Sequence, residues 1–300
     1  MAGMTQPVSR RTVLSGALGA IVALAGCGNG GGQAPDATRP APASSSAGPT
    51  SGSSSAAPTT AGVPQSATPA QITARANVPV LCWHQLRDWE PSDESYARTL
   101  LICPPAHFRA QLDALAEGGW TTIGPDQYFA HLTTGAPLPV KPVLLTFDDS
   151  QGSQMTEAFP QLRARGMTAT FFAMTVVLDK PGWLSARDLK TLDAAGMTVG
   201  AHTWDHHRVD EYAGKDWSVQ LEQPKEHLEK IIGKPVQHLA YPFGAWNHAA
   251  LTHVATAGYR SAYQLADRQP DQADPLLTLR RTLVTSDLNG PQLLTQLAGS

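Results

Sequence analysis

Short runs of apolar and β-branched residues alternate with helix-like stretches from Asn77 to the end of the chain. Apolar runs of this length, bounded by turn residues, predict buried strands. Between them, residues 106–117 and 185–195 carry apolar side chains three and four positions apart and are followed by glycine, which predicts amphipathic helices. The predicted strands are 79–84, 121–124, 143–149, 169–174, 198–202, 238–243, 259–265 and 278–284.

This alternation predicts an α/β fold, because parallel strands need helical crossovers between them. Seven or eight strands over residues 77–300 favour a distorted or incomplete (β/α) barrel of the TIM type over a doubly wound open sheet. In such barrels the active site lies at the carboxyl ends of the strands. Residues that carry chemistry are therefore expected at those ends.

The predicted strand at 143–149 ends in Asp148 and Asp149, and the strand at 198–202 leads into His202 and His206. Taken alone, paired aspartates are typical of turns and helix caps, and histidines four residues apart are frequent by chance. Together, two imidazoles and one carboxylate form a ligand set that leaves positions open for water and substrate, as in catalytic zinc centres. Asp149, His202 and His206 are the candidate ligands, and Asp148 is the candidate general base.

Three segments, in this order along the chain, resemble the motifs of the polysaccharide deacetylases, which are carbohydrate esterase family 4 with the NodB-type fold. The resemblance covers nearly all of residues 77–284 and implies a hydrolase that removes acetyl groups from N-acetylglucosamine-type residues of an extracellular or cell-wall polysaccharide. The segments are Thr146-Phe147-Asp148-Asp149-Ser150, His202-Thr203-Trp204-Asp205-His206 and Ala240-Tyr241-Pro242-Phe243.

The resemblance also implies roles for the residues of these motifs. Asp148 would be the base, and Asp149 with the two histidines would bind a divalent metal, with Zn²⁺ as the expected ion, although cobalt, nickel or iron would accept the same donors. The backbone N–H of Phe243 would help to hold the oxyanion. Substrate contacts are expected from Tyr241, Pro242 and Trp204.

Two departures from the family pattern define a subgroup: Ser150 replaces the usual glycine, and Ala240 stands where many members have an arginine that orients the base. Arg280 or Arg281, on the last predicted strand, could take the orienting role. The site prediction includes Arg280. The resemblance is nearest to the branch of biofilm poly-N-acetylglucosamine deacetylases.

The motifs above leave the general acid unassigned. The family's C-terminal leucine-x-histidine motif is absent, since no histidine follows His253. His84 ends the first predicted strand, as in the biofilm-type branch, and an imidazole is suited to protonating a leaving amine near neutral pH. A merely structural histidine is the alternative for His84.

The N-terminus predicts export. Residues 1–27 combine Arg10-Arg11, which resembles a twin-arginine signal, with a short apolar stretch and Leu24-Ala25-Gly26-Cys27, which resembles a bacterial lipobox. Lipidation at Cys27 would anchor the protein to the outer face of the cytoplasmic membrane; ordinary secretion is the alternative. Residues 28–76, rich in Gly, Ser, Pro and Thr, predict a disordered tether before a catalytic domain at 77–300.

A net charge of −3 provides no basic patch for nucleic acid, so the expected partner is a glycan of the peptidoglycan or poly-N-acetylglucosamine type. Cys82 and Cys103 could pair in an oxidising compartment. Three rival functions remain open: a catalytically impaired glycan-binding module, a polysaccharide O-acetyl esterase, and a metal-dependent glycosidase. The glycosidase fits poorly, because its two carboxylates must flank the bond, whereas adjacent side chains on a strand diverge.

Overall fold

The structure is a computed structural model that describes residues 66–265 and 269–298. The predicted signal, Cys27 and most of the predicted tether lie outside these ranges. Within them, each of the eight predicted strands is present in a shorter form. They are β1 (Val80–Trp83), β2 (Thr121–Thr122), β3 (Pro142–Phe147), β4 (Thr170–Ala173), β5 (Thr198–Ala201), β6 (His238–Ala240), β7 (Ser261–Tyr263) and β8 (Thr282–Leu283).

Helices connect most of these strands, and both predicted helices are present as α3 and α6. The capping residues explain where several of them begin: Ser185 and Asp188 form a capping box at the start of α6, and Asn247 caps α8. The helices are α1 (Pro69–Arg75), α2 (Ser95–Leu100), α3 (Pro105–Glu117), α4 (Pro125–Thr134), α5 (Phe159–Ala164), α6 (Ala186–Ala194), α7 (Gln223–Ile232), α8 (His248–Thr256) and α9 (Gly290–Ala298).

All strand pairs are parallel, in the order β7-β6-β5-β4-β3-β1-β8, with β2 beside the start of β3. One further bridge, between Tyr263 and Leu279, joins β7 to the segment before β8. The sheet therefore curves round until its two edges meet through a single bridge. This is the predicted distorted (β/α) barrel of seven to eight strands, and the fold prediction is confirmed.

Side chains alternate between two cores. On β3, Val143, Leu145 and Phe147 belong to the large core that includes helix residues such as Phe108 of α3, whereas Leu144 belongs to the smaller core. The smaller core also contains residues from β1, β4, β6 and β7, together with residues of α1 and α4. It therefore fills the barrel interior. Because strands have a period of two, inward-facing positions toward the carboxyl ends of the strands can carry the polar groups of a site.

The predicted boundary of the tether at residue 76 is wrong, because α1 is part of the folded unit. Thr68 and Gln71 form a capping box, and the side chain of Ile72 is buried in the smaller core. Arg75 donates a hydrogen bond to the carbonyl of Leu132 in α4 at 3.0 Å. The composition of this helix resembles that of the tether, because Ala, Thr and Gln dominate it. Ile72 is its one buried residue.

Cys82 and Cys103 are both buried and free. Cys103 belongs to the large outer core, whereas Cys82 follows the inward-facing Val80 by two positions. The two thiols thus lie on different faces of the sheet, which explains why they do not pair. None of the helices in the described ranges has the length and apolar character needed to cross a bilayer.

Candidate active site

Asp149, His202 and His206 meet at the carboxyl end of the barrel. Asp149 follows β3, His202 follows β5, and His206 lies four residues further on. The Oδ1 atom of Asp149 is 3.3 Å from the Nε2 atom of each histidine. The three predicted metal ligands are therefore brought together around one small volume.

This arrangement fits a metal ion. Ligand atoms bound at about 2.0–2.1 Å to a tetrahedral zinc lie about 3.3 Å from one another, which matches both measured separations. Asp149 Oδ1 and His202 Nε2 are buried and lack a hydrogen-bond partner among the described residues. Buried polar atoms without a partner are costly, and a cation would satisfy both of them.

The orientation of His202 is also set for metal binding. Its Nδ1 atom lies 2.8 Å from the carbonyl oxygen of Ala240. That carbonyl accepts the Nδ1 proton, which leaves Nε2 as the atom that faces Asp149. A backbone carbonyl in this position is a usual means of fixing the tautomer of a metal-binding histidine.

The backbone around the site is strained. Seven residues other than glycine in the described ranges have positive φ, and five of them border this site, with φ between 58° and 74°. Such conformations cost energy and concentrate at functional sites. They are Asp149, Ser150, Thr203, His206 and Phe243.

Ser150 has one of these strained conformations, and it is also a residue at which the chain departs from the family motif. At φ 64° a glycine would be relaxed. The Ser150 hydroxyl, however, accepts a hydrogen bond from the backbone N–H of Met174 at 2.9 Å. This buried contact ties the turn after β3 to the end of β4, and it offsets part of the cost of the backbone conformation.

Asp148 is fully buried and forms a two-bond ion pair with Arg281. The Nη1 and Nη2 atoms of Arg281 donate to Oδ1 and Oδ2 of Asp148, each at 2.7 Å. Burial by itself would raise the pKa of Asp148, but the charge of Arg281, followed by that of His202, lowers this pKa below its usual value. Asp148 is therefore held ionised, as a general base must be before it accepts a proton.

Arg281, rather than Arg280, holds the carboxylate of Asp148, and the prediction of Arg280 is wrong. The guanidinium of Arg281 is buried, whereas Arg280 is exposed. The reason is the alternation of side chains along the last strand segment: Leu279 belongs to the inner core, so Arg281 also faces inward and Arg280 faces outward.

His84 lies at the end of β1 and borders the same cavity as the ligands. It is 6 % exposed, and its Nδ1 atom is buried without a hydrogen-bond partner among the described residues. A ring nitrogen of His84 is within 4.8 Å of a carboxylate oxygen of Asp148. The structure thus places the predicted acid next to the predicted base.

The two histidines of the ligand set differ in their electrostatics. Burial, followed by the neighbouring His202, lowers the pKa of His206 to about 4. Burial also acts to lower the pKa of His202, but Asp148 and Asp149 outweigh it and raise this pKa above its usual value. Without a metal, His202 therefore keeps its second proton to a higher pH than His206 does.

The cavity itself has a volume of about 120 Å³. Its walls combine the polar groups with a largely apolar rim, which suits a small acyl group bound next to reactive polar atoms. It is lined by His84, Tyr96, Leu101, Asp148, Asp149, His202, His206, Phe243, Leu265 and Leu283.

Of the three predicted substrate contacts, two are buried and one is exposed. Tyr241 is completely buried in the outer core, and its hydroxyl donates to the carbonyl of Leu277 at 2.9 Å, so its prediction as a groove residue is wrong. Pro242 is buried as well, and the same correction applies. Trp204 is 42 % exposed, but it lines a neighbouring crevice.

Phe243 is exposed, unlike Tyr241 and Pro242, which precede it in the motif and are buried. Its ring is 60 % exposed and packs edge-on against His206, with ring centroids 4.5 Å apart. The residue lines the cavity beside the metal ligands. The role of its backbone N–H in holding the oxyanion stays a prediction.

Sequence reasoning missed several residues that build the site. Tyr96 and Leu101 come from the segment around α2, which carries no recognisable motif. Gln154 donates its amide to the carbonyl oxygens of both His84 and Asp148, and so joins the ends of β1 and β3. No signal in the sequence marks these contacts, since they connect residues far apart along the chain.

Comparison with known proteins agrees with this geometry. Residues 135–262 match the family profile described as polysaccharide deacetylase. The chain is 23% identical to the Bacillus subtilis protein YxkH over 72% of this chain and 74% of that protein. It is 30% identical to the chitooligosaccharide deacetylase of Azorhizobium caulinodans over 39% of this chain and 55% of the relative.

A third relative is the poly-beta-1,6-N-acetyl-D-glucosamine N-deacetylase of Escherichia coli K12, 22% identical over 71% of this chain and 37% of the relative. Solved structures of similar proteins also cover 73% of this chain. IcaB from Ammonifex degensii has a TM-score of 0.60 and 26% identity over 96% of its length. The deacetylase PplD from Streptococcus pyogenes, solved with acetate, has a TM-score of 0.68 and 24% identity over 97% of its length, and supports the fold.

Proposed function

We propose that the chain is a polysaccharide deacetylase, a divalent-metal hydrolase acting on N-acetylglucosamine-type residues of a cell-wall or extracellular polysaccharide. The observation that carries this proposal is that the candidate metal ligands and the candidate base border the same cavity. Asp149 lies 3.3 Å from both histidines, and Asp148 beside them is held ionised by Arg281.

Asp149, His202 and His206 would hold the ion, which would polarise the acetyl carbonyl and make a water molecule more acidic. Asp148 accepts the proton of that water. Each carboxylate oxygen has two lone pairs, so an oxygen that receives one hydrogen bond from Arg281 can still accept a proton from the cavity. Arg281 fixes the direction of the carboxylate throughout.

Phe243 and His84 complete the chemistry. The backbone N–H of Phe243 stabilises the negative charge that develops on the carbonyl oxygen, a type of contact that contributes in the transition state. His84 donates a proton to the departing amine. The leaving group then becomes a neutral amine that takes up a proton in water, so the products are acetate and a glucosamine residue.

The substrate class follows from the cavity and from the relatives. A volume of about 120 Å³ with Leu101, Leu265 and Leu283 on its rim accommodates an acetyl group better than a bulky acyl group. Two of the relatives named above are deacetylases of chitooligosaccharide and of poly-beta-1,6-N-acetyl-D-glucosamine. We therefore assign amide deacetylation of an amino-sugar polymer in preference to O-ester hydrolysis.

Purified full-length protein loaded with zinc should release acetate from N-acetylglucosamine oligomers, poly-N-acetylglucosamine or peptidoglycan. Asp148→Asn should lower kcat by at least about 100-fold, because the base is lost while the shape is kept. Asp113→Asn is the matched control, since Asp113 pairs with Arg165 on the surface. Metal binding without acetate release from any of these glycans would favour a glycan-binding module, and release from acetylated xylan alone would favour an O-acetyl esterase.

The location is proposed from the sequence of the N-terminus. Export with lipidation at Cys27 would place the enzyme at the outer face of the cytoplasmic membrane, where an envelope glycan is within reach. Cys27→Ala should move the exported protein from the membrane fraction to the soluble extracytoplasmic fraction. An unchanged membrane fraction would contradict lipidation at this residue.

A further inference from the structure

A second group of potential metal ligands lies beside the cavity, toward the interior of the barrel. It consists of Cys82, His84 and Asp148, all of them buried. The Sγ atom, a ring nitrogen and a carboxylate oxygen of these residues lie within 4.8 Å of one another. The Oδ2 atom of Asp148 is 3.8 Å from the Nε2 atom of His202, so this group adjoins the candidate ligands described above.

The alternation of side chains along two neighbouring strands brings these residues together. Cys82 and His84 are two positions apart at the end of β1, so their side chains point to the same face of the sheet. Cys82 pairs with Thr146 of β3, and Asp148 follows Thr146 by two positions. A thiol, an imidazole and a carboxylate therefore converge on the inner face of the barrel.

The imidazole of His84 is the member of this group that lacks a partner. It is 6 % exposed, and its Nδ1 atom is buried without a hydrogen-bond partner among the described residues. Cys82 forms no disulfide. Thiolate and neutral imidazole are ligands that zinc and other borderline or soft cations prefer, and an ion bound here would give the buried nitrogen a partner.

Geometry and charge decide how strongly this group binds an ion. A tetrahedral zinc holds a sulfur and a nitrogen ligand about 3.6 Å apart, so side-chain rotation must bring the ligand atoms closer together. Arg281 opposes a second cation, because it pairs with both oxygens of Asp148, although each oxygen keeps a second lone pair. The group should therefore bind far more weakly than the first set of ligands and fill only in excess metal.

We propose that Cys82, His84 and Asp148 form a second, inhibitory site for zinc or another thiophilic divalent cation. On binding, the Cys82 thiol releases its proton to solvent, and the thiolate coordinates the ion. The ion then occupies the proposed acid and the proposed base, so deacetylation stops. This inhibition rests on the proposed function, which assigns those two roles, whereas the binding of the ion does not.

Cobalt distinguishes the two sites by their spectra. The first site offers oxygen and nitrogen donors alone, so the first equivalent of Co²⁺ added to metal-free protein should produce visible bands without a sulfur-to-cobalt charge-transfer band. Excess Co²⁺ should then add that band in the near ultraviolet. Full-length Cys27→Ala protein serves as the parent, because Cys82 and Cys103 are then the remaining thiols.

Cys82→Ser and Cys82→Ala should both abolish the charge-transfer band. Cys103→Ser is the matched control and should keep it, because Cys103 is equally buried but belongs to the large outer core. Excess zinc should inhibit acetate release by the parent. Cys82→Ser should raise the inhibitory zinc concentration at least about tenfold, since even an indirect contact to a metal contributes this much to affinity. Magnesium, which prefers oxygen ligands, should not inhibit.

Three outcomes would overturn the second site. They are the absence of the charge-transfer band at every cobalt ratio, a band that persists in both Cys82 variants, and equal zinc inhibition of the parent and these variants. The visible bands at the first equivalent verify that each variant is folded. A band that depends on Cys82, without acetate release from any glycan, would refute the proposed function and leave the second site in place.

Discussion

At the scale of single residues, the site depends on a buried ion pair. Both Asp148 and Arg281 have fully buried side chains, and two hydrogen bonds join them. A buried pair of this kind adds little net stability, because desolvation offsets the attraction. The pair instead fixes a position: the guanidinium group holds the plane of the carboxylate and keeps the proposed base at the wall of the cavity.

Removing one partner of this pair should be costly. Arg281→Ala leaves Asp148 buried without compensation, so the free energy of unfolding should fall by about 3–5 kcal/mol, measured by urea denaturation. Deacetylation should fall with it, and raising the pH should restore part of the activity, because without Arg281 burial raises the pKa of Asp148. Arg281→Lys should recover part of the stability but lose the two-bond geometry.

Arg280→Ala is the control for this prediction, because Arg280 is the exposed neighbour on the same strand segment. It should change stability by no more than about 0.5 kcal/mol. Equal effects of the two alanine variants would contradict the assignment of Arg281 as the residue that orients the base.

At the scale of elements, short segments close the barrel at both ends. At the amino end, α1 and α4 contribute Ile72, Tyr128 and Leu132 to the inner core. At the carboxyl end, the segment around α2 brings Tyr96 over the cavity. Arg87 and Asp93 brace this segment through two hydrogen bonds of 2.8 Å and 2.7 Å. Segments outside the strands therefore cover both ends of the barrel.

The role of α1 can be measured by comparing chains that begin at residue 66 and at residue 77. The shorter chain loses the burial of Ile72 and the hydrogen bond from Arg75 to α4. Its free energy of unfolding should be lower by roughly 2–5 kcal/mol, the range for deleting a large buried side chain. Ile72→Ala in the longer chain should reproduce much of this loss. Equal stability of the two chains would show that α1 is dispensable.

At the scale of the whole molecule, the proposed metal links folding to catalysis. The three ligands come from segments after β3 and β5, so an ion would bind the folded barrel and not the unfolded chain. Zinc at a thousandfold excess over its Kd should then add about 4 kcal/mol to the free energy of unfolding. Thermal unfolding with and without zinc measures this increment.

The increment should depend on pH through His202. Without metal, the raised pKa of His202 stabilises the fold at low pH, and this contribution is lost as pH rises through that pKa. Zinc binding must displace the same proton. Below that pKa, the zinc increment should shrink by about 1.4 kcal/mol per pH unit. His206, with a pKa of about 4, should add nothing above pH 5 or so. A zinc increment that falls twice as steeply with decreasing pH would contradict the assignment of one displaced proton, on His202.

The sequence by itself determined the order of strands and helices, the three ligand candidates and Asp148. These follow from local patterns: apolar runs predict strands, and Asp148-Asp149 and His202 through His206 are contiguous motifs at strand ends. The prediction of His84 also rested on a strand end, and the structure places it in the cavity. Its role as the acid stays a prediction.

The tertiary structure alone decided the features that depend on which face a residue occupies. A shift of one position exchanges the two faces of a strand, which separates Arg281 from Arg280 and places Tyr241 in the outer core. The same holds for contacts between distant segments, such as α1 under the barrel, Tyr96 over the cavity and Trp204 beside α7. Local sequence carries the period of a strand but not its phase relative to the core, and burial in the folded barrel sets that phase.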